Sequence, residues 1–171
     1  VSSQEIRALL TARKSIQQAI INIELSMRGV LRHFGLKIGQ VTAIKYEARV
    51  RELIDQNELL SAATLPLLRA RDHLRSELAG FDTKITGLAE HDDVSRLMMT
   101  MPGVGPIVAL TVRSAIDDPA RFARSKDIGP WVGLTPRRTQ SGEMDIVGQI
   151  TRAGDRGLRS ALYQAAMILM H

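Results

Sequence analysis

One serine near the C-terminus stands among five arginines, and that stretch is where this sequence is best equipped for chemistry. Gly133-Leu-Thr-Pro-Arg-Arg-Thr-Gln-Ser-Gly-Glu-Met-Asp-Ile-Val-Gly-Gln-Ile-Thr-Arg-Ala-Gly-Asp-Arg-Gly-Leu-Arg sets Arg137, Arg138, Arg152, Arg156 and Arg159 around Ser141, the only serine between Ser125 and Ser160. Ser141-Gly142 in a short polar run predicts an exposed loop or β-turn. Guanidinium forks suit bidentate contact with phosphate, so arginines converging on that loop would clamp a phosphate. A turn serine without chemistry is the plain alternative. A serine hydroxyl is a weak nucleophile until a base or a metal takes its proton. No histidine lies between His91 and His171, and Glu143 and Asp145 are expected to be solvated. Any activator, a metal included, is therefore expected from outside this chain.

A second motif lies upstream, in Leu97-Met-Met-Thr-Met-Pro-Gly-Val-Gly-Pro-Ile-Val-Ala-Leu-Thr-Val. A short helix over 94–100 should stop before Pro102, and another should start at Gly105 or Pro106. Between them Gly103 and Gly105 permit positive φ and the close approach of another backbone. The pattern resembles a helix-hairpin-helix, in which hairpin amides and the following helix N-terminus face a phosphate without reading sequence. A short αα-hairpin that merely packs is the alternative. Asp117-Asp118-Pro119 reads as an N-cap pair ahead of a short helix, a cheaper account than a metal site. A further short helix is expected near 125–132, disturbed by Gly129-Pro130, with Trp131 and Leu134 in the core.

Two sets of elements must carry these motifs. The apolar positions Ile6, Leu9, Ile16, Ile20, Ile23, Met27, Val30 and Phe34 predict one amphipathic helix, closed by Gly35 and Gly39. A second seam alternates steps of three and four from Val50 through Leu53, Asn57, Leu60, Thr64, Leu67, Arg71, Leu74, Leu78, Phe81 and Ile85 to Leu88. It predicts one long helix, kinked near 62–66 by Pro66. Its polar seam residues Asn57, Thr64 and Arg71 favour an oligomerisation arm over a purely intramolecular antiparallel hairpin. After His91 the texture changes, with five of the six prolines and eight of the thirteen glycines. The expected fold is therefore mainly α. A long antiparallel helical hairpin or coiled coil (1–91) precedes a compact domain of short helices (92–171), with room for a small β-hairpin around Ile146 to Ile150. Asp155 should cap a final helix from Arg156 to about Met170, burying Leu158, Leu162, Ala165, Ala166 and Leu169.

Composition narrows the class further. The 171 residues contain no cysteine, which excludes a disulfide scaffold, a thiol nucleophile and any cysteine-ligated metal, and makes a reducing cytoplasm the expected home. Four scattered histidines leave little for a histidine metal site. The longest apolar stretch near the C-terminus, Ala165 to Met170, is far too short to span a membrane. The polar N-terminus is unlike a signal peptide. The chain opens on Val1 rather than Met, as a piece of a longer protein would. Twenty-three Lys and Arg against 18 Asp and Glu give a net charge of +5, a weak pull toward an acidic partner such as nucleic acid. Residues 1–91 hold 13 basic and 10 acidic groups and the remainder 10 and 8, so net charge does not locate the site.

From Met101 to Met170 the chain resembles the C-terminal domain of insertion-sequence transposases of the group numbered one-ten, DEDD recombinases guided by a bridge RNA. The matching pieces are Met101-Pro-Gly-Val-Gly-Pro, Arg121-Phe followed by Gly133-Leu-Thr-Pro, Gln140-Ser-Gly-Glu, Gly148-Gln-Ile-Thr-Arg and Gly154-Asp-Arg-Gly-Leu-Arg. Upstream, the segment Arg28 to Leu36 resembles the family's coiled-coil region. The resemblance implies Ser141 as a nucleophile that forms a covalent phosphoserine link to DNA; some members place the serine one position earlier, where this chain has Gln140. It also implies Mg²⁺ held by a RuvC-like domain absent from this chain, with double-stranded DNA, a bridge-type guide RNA and a homo-oligomer, dimer or tetramer, as partners. The implied location is the prokaryotic cytoplasm, associated with the nucleoid when active. The competing reading is a non-catalytic helix-hairpin-helix module that binds DNA and oligomerises.

Overall fold

The computed structural model describes residues 1–170 and confirms a mainly α fold. Among these residues are seven α-helices and one two-stranded antiparallel sheet. In chain order they are α1 (Ser3–His33), α2 (Tyr46–Ile54), α3 (Glu58–Glu90), α4 (Asp93–Met99), α5 (Pro106–Ile116), α6 (Ile128–Val132), β1 (Pro136–Ser141), β2 (Met144–Ile150) and α7 (Arg156–Leu169). No helix among them is long and apolar enough to cross a membrane. Contacts divide the chain into two compact units, one of Thr11–Thr83 and one of Val1–Leu10 with the chain from Lys84 onward. The start of α1, up to Leu10, and the end of α3, from Lys84, thus group with the C-terminal elements.

In the Thr11–Thr83 unit, α1 and α3 run antiparallel, with Arg13 paired to Asp82 at 2.6 Å and Glu24 to Arg71 at 2.6 Å. Met27, Leu31, Ile38, Tyr46, Val50, Ile54, Leu60 and Leu68 form its core. The second seam does not form one kinked helix. It breaks at 55–57, because Asn57 leaves the seam and caps α3, its Oδ1 accepting the Leu60 amide hydrogen at 2.9 Å. Helix α3 then continues across Pro66. Phe34, assigned to the first seam, lies beyond the end of α1 and is 57% exposed.

Thr64 and Arg71 are fully buried and satisfied inside the unit. Thr64 donates to the Leu60 carbonyl at 2.7 Å. Arg71, 2% exposed, holds Glu24, Asp72 (2.8 Å) and the Ala43 carbonyl (3.3 Å), with its guanidinium 4.3 Å from the Tyr46 ring centroid. Removing one member of such a buried set strands the others. We expect Arg71→Met to cost about 2–3 kcal/mol in urea unfolding, less than for a fully buried pair because both carboxylates still reach water.

The other unit has three small apolar clusters. Ile6, Ile85, Ala89 and Leu110 make one; Val108, Ala161 and Ala165 a second; Ala115, Val132 and Leu158 a third. Trp131 packs half-buried on the third and meets Phe122 edge to face at 5.3 Å, with the Arg121 guanidinium 5.2 Å from its centroid. Leu134, expected in the core, is exposed. Asp118 caps a single 3₁₀ turn, 119–121, while Asp117 is no N-cap: it closes α5 at φ 59°.

Asp92 caps α4, accepting the Ser95 amide at 2.8 Å and the Ser95 hydroxyl at 2.6 Å. The Ser95 hydroxyl above all holds the Asp92 carboxyl below the usual aspartate range; burial opposes it, and the Ser95 amide and nearby Arg113 add to the lowering. Its folded pKa being depressed, its contribution is present above the unfolded value of about 3.9 and lost as pH falls through the lower folded value. Asp92→Ala should cost about 1 kcal/mol at neutral pH, and thermal melts of the two proteins should converge once the pH has fallen through the lowered range of the Asp92 carboxyl.

Candidate functional site

Ser141 ends β1 at the tip of the β-hairpin, exposed, with Gly142 at φ 57° and Glu143 making the turn. The hairpin is longer than the sequence suggested, running from Pro136 to Ile150, and every residue of both strands is exposed. Pairing sets Ser141 opposite Met144, Thr139 opposite Ile146, Gln140 opposite Asp145 and Arg138 opposite Val147. Successive side chains alternate faces. Ser141 and Thr139 therefore share one face with Met144 and Ile146, while Gln140, Arg138, Asp145 and Val147 occupy the other. A bulge between Pro136 and Arg138 sets the register of the lower half.

Arg138 binds Asp145 with both prongs, at 2.7 and 2.5 Å. That hydrogen bonding holds the Asp145 carboxyl below its ordinary range, with Gln140 adding to the effect, and raises Arg138. Both groups are exposed. The pair tethers one strand to the other and pins the register that puts Ser141 on its face. Among the described residues no base hydrogen-bonds the Ser141 hydroxyl, and no three acidic or histidine side chains stand close enough to hold a metal.

The five arginines do not all converge on Ser141. Arg137 and Arg138 lie on β1. Arg152 and Arg156 leave from the foot of the hairpin, about 16 Å of strand from its tip. Arg152 sits at φ 56°, its amide donating to the Gly133 carbonyl at 3.0 Å, and Arg156 is exposed in the first turn of α7. Arg159 is taken by structure: one terminal nitrogen donates to the Val132 carbonyl at 2.9 Å and the Gly154 carbonyl at 2.7 Å. Its spacing on the helix suggested an outward clamp, yet two buried-side carbonyls capture it.

Sequence reading missed what fixes the hairpin's foot. Gly133, at φ 78°, lies against the Ala153 amide, and Gly154 lies against the Trp131 carbonyl and the Val132 backbone, closer than any Cβ allows. The signal was a glycine on each side of the hairpin. Asp155 caps α7 as expected, accepting the Leu158 amide at 2.9 Å. The buried stripe of α7 is Leu158, Ala161 and Ala165 with Leu162 half-buried, whereas Ala166 and Leu169 are exposed.

The Pro-Gly-Val-Gly turn forms as expected, α4 ending at Met99 and α5 starting at Pro106 with Gly105 as N-cap. Gly103 alone takes positive φ, 81°, and the backbone that approaches it is internal: a Cβ there would lie 2.5 Å from the Ala165 carbonyl of α7. Gly105 faces open space. The turn therefore packs against α7 through Gly103, while the N-terminus of α5 stays accessible.

Known proteins give this geometry a context. Residues 95–171 match the transposase domain described as the IS116/IS110/IS902 family. Over nearly its whole length the chain is similar to the transposase for insertion sequence element IS1111A of Coxiella burnetii, 26% identical over 99% of this chain and 48% of that protein. It is equally similar to the transposase for IS1328 of Yersinia enterocolitica, 26% identical over 98% of this chain and 50% of that one. A pilin gene-inverting protein of Moraxella bovis is 35% identical over 74 residues, 43% of this chain and 23% of its own. The chain spans about half the length of the transposases it matches.

Proposed function

We propose that this chain, whose residues 95–171 match the transposase domain described as the IS116/IS110/IS902 family, is the coiled-coil and serine-bearing part of a DNA recombinase in which Ser141 is the nucleophile. The observation that carries this reading is the position of Ser141: the exposed tip of a hairpin that no apolar core requires, in a register pinned by Arg138 and Asp145. In the step, the Ser141 Oγ–phosphorus bond forms as one P–O ester bond of the DNA strand breaks. The hydroxyl proton passes to a base and the departing oxygen takes one up. No water is consumed, so the serine ester can be attacked in turn by a strand hydroxyl and the backbone rejoined. The similarity to a protein named for gene inversion supports such a cut-and-rejoin reaction.

Arg137, Arg152 and Arg156 are free of ion pairs among the described residues and suit the DNA backbone on either side of the tip. Gly105 and the first amides of α5, with the Gly103 turn behind them, offer a further phosphate contact. Mg²⁺, a bridge-type guide RNA and assembly of several copies through the helical unit are carried over from the resemblance, and no step above runs through them. The test is to trap and digest a protein–DNA adduct made by the full gene product: the modified peptide should contain Ser141. An adduct on any other residue would overturn the assignment.

A further inference from the structure

Between Leu25 and Tyr46 the sequence contains no Asp or Glu, yet it carries Arg28, Arg32, His33, Lys37 and Lys45. Residues 34–45, which join α1 to α2, form neither helix nor strand. Long connections of this kind in a compact unit are commonly functional. This one is held in shape from beneath. Gly35 at φ 72° closes α1, with its own amide donating to the Arg32 carbonyl and the Leu36 amide to the Leu31 carbonyl, both at 3.0 Å. Ile38 is buried in the core of the unit. Three guanidiniums then hold three carbonyls of the loop: Arg28 at Gly39 (3.0 Å), Arg49 at Lys37 (3.4 Å) and Arg71 at Ala43 (3.3 Å).

With the backbone fixed this way, the side chains left outside are Arg32, Lys37 and Lys45, all exposed and none ion-paired among the described residues, with Phe34 57% and Ile44 91% exposed. The acidic groups of α2 do not neutralise them, since Glu47 is paired to Arg51 and Glu52 to Arg49. Asp55 lies in the turn between α2 and α3, and Glu58 opens α3. Cations and an exposed ring on one preorganised loop match what a single strand offers, namely phosphates together with bases free to stack. A duplex keeps its bases stacked internally and would leave Phe34 unused.

We propose that the 34–45 loop is a docking site for single-stranded nucleic acid, with Arg32, Lys37 and Lys45 on phosphates and the Phe34 ring against a base. The site lies in the Thr11–Thr83 unit and does not depend on the role of Ser141. It is tested by fluorescence anisotropy of the whole chain with a labelled oligothymidylate and with a matched duplex. The combined variant Arg32→Glu, Lys37→Glu, Lys45→Glu should bind the single strand at least about tenfold more weakly, with the slope of log affinity against log salt reduced by about 2. Phe34→Ala should weaken single-strand binding about tenfold with no change of slope and no effect on the duplex. All these positions are exposed, and matching far-UV circular dichroism spectra check the fold. Phe34→Trp gives a second readout, since its fluorescence should be quenched by the oligonucleotide. Unchanged affinity in the charge-reversal variant, an unquenched indole, or a preference for duplex that Phe34→Ala leaves untouched would each overturn the proposal.

Discussion

Ser141→Ala in the full gene product is expected to abolish the covalent protein–DNA adduct, by at least about a thousandfold, while leaving the thermal midpoint within error of the parent. The two halves of this expectation have different physical sources. Ser141 is exposed at a hairpin tip, touches no core residue and makes no hydrogen bond that the fold needs, so truncating its hydroxyl leaves the folded state as it was. The chemistry, in contrast, loses the only atom that would bond to phosphorus. Neighbouring hydroxyl and amide groups provide the controls. Gln140→Ala acts on the opposite face, where Gln140 pairs with Asp145, and should leave adduct formation largely intact. Thr139 shares the serine's face one pleat lower, opposite Ile146. If the adduct persisted in Ser141→Ala and vanished in Thr139→Ala, the nucleophile would be Thr139.

A second substitution should be nearly as damaging for a wholly different reason. Gly154→Ala places a Cβ into the Trp131 carbonyl and the Val132 backbone, where neither atom is the end of a flexible side chain. Gly133 and Gly154 mark where two chain segments cross, joined by the Arg152 amide at Gly133, the Thr151 amide at Thr135 and the Arg159 guanidinium at Val132 and Gly154. Separating them to admit a methyl group breaks several of these bonds together. The expected cost is about 3 kcal/mol, a fall of roughly 6–12 °C in thermal midpoint. Hydrogen exchange should rise at the amides of Arg152 and Thr151 before it rises in α5. Gly87→Ala, inside α3 with nothing near its added methyl, should instead stabilise by a few tenths of a kcal/mol up to about 1. A Gly154→Ala protein as stable as the parent would show that the crossing can relax.

Much of the local structure was legible because it depends on neighbours in sequence. Pro106 after Gly105, Asp155 before Arg156 and Gly35 after the first seam each mark a helix end through a bond within one turn, and each end falls where expected. The reading failed where one residue type serves two local purposes. Asn57 fits a polar seam position as well as an N-cap, and capping prevails because its carboxamide satisfies an amide left open by the break. Pro66, the more obvious breaker, costs one hydrogen bond that α3 tolerates. The first strand, Pro-Arg-Arg-Thr-Gln-Ser, has no apolar alternation to announce it, since nothing buries either of its faces.

At the candidate site, the serine, the arginines available to it, the lack of cysteine and the helices at either end are all properties of residue type and near spacing, and so could be read before any fold was known. Which of those groups are free depends on long-range packing. Arg159 is consumed by two carbonyls, Arg138 by Asp145, and Gly103 by the close approach of α7, whereas Arg137, Arg152, Arg156 and Ser141 stay open. The physical reason is that a charge or a glycine advertises what it can bind, but the partner that reaches it first comes from a distant part of the chain, and only folding brings that partner within bonding distance.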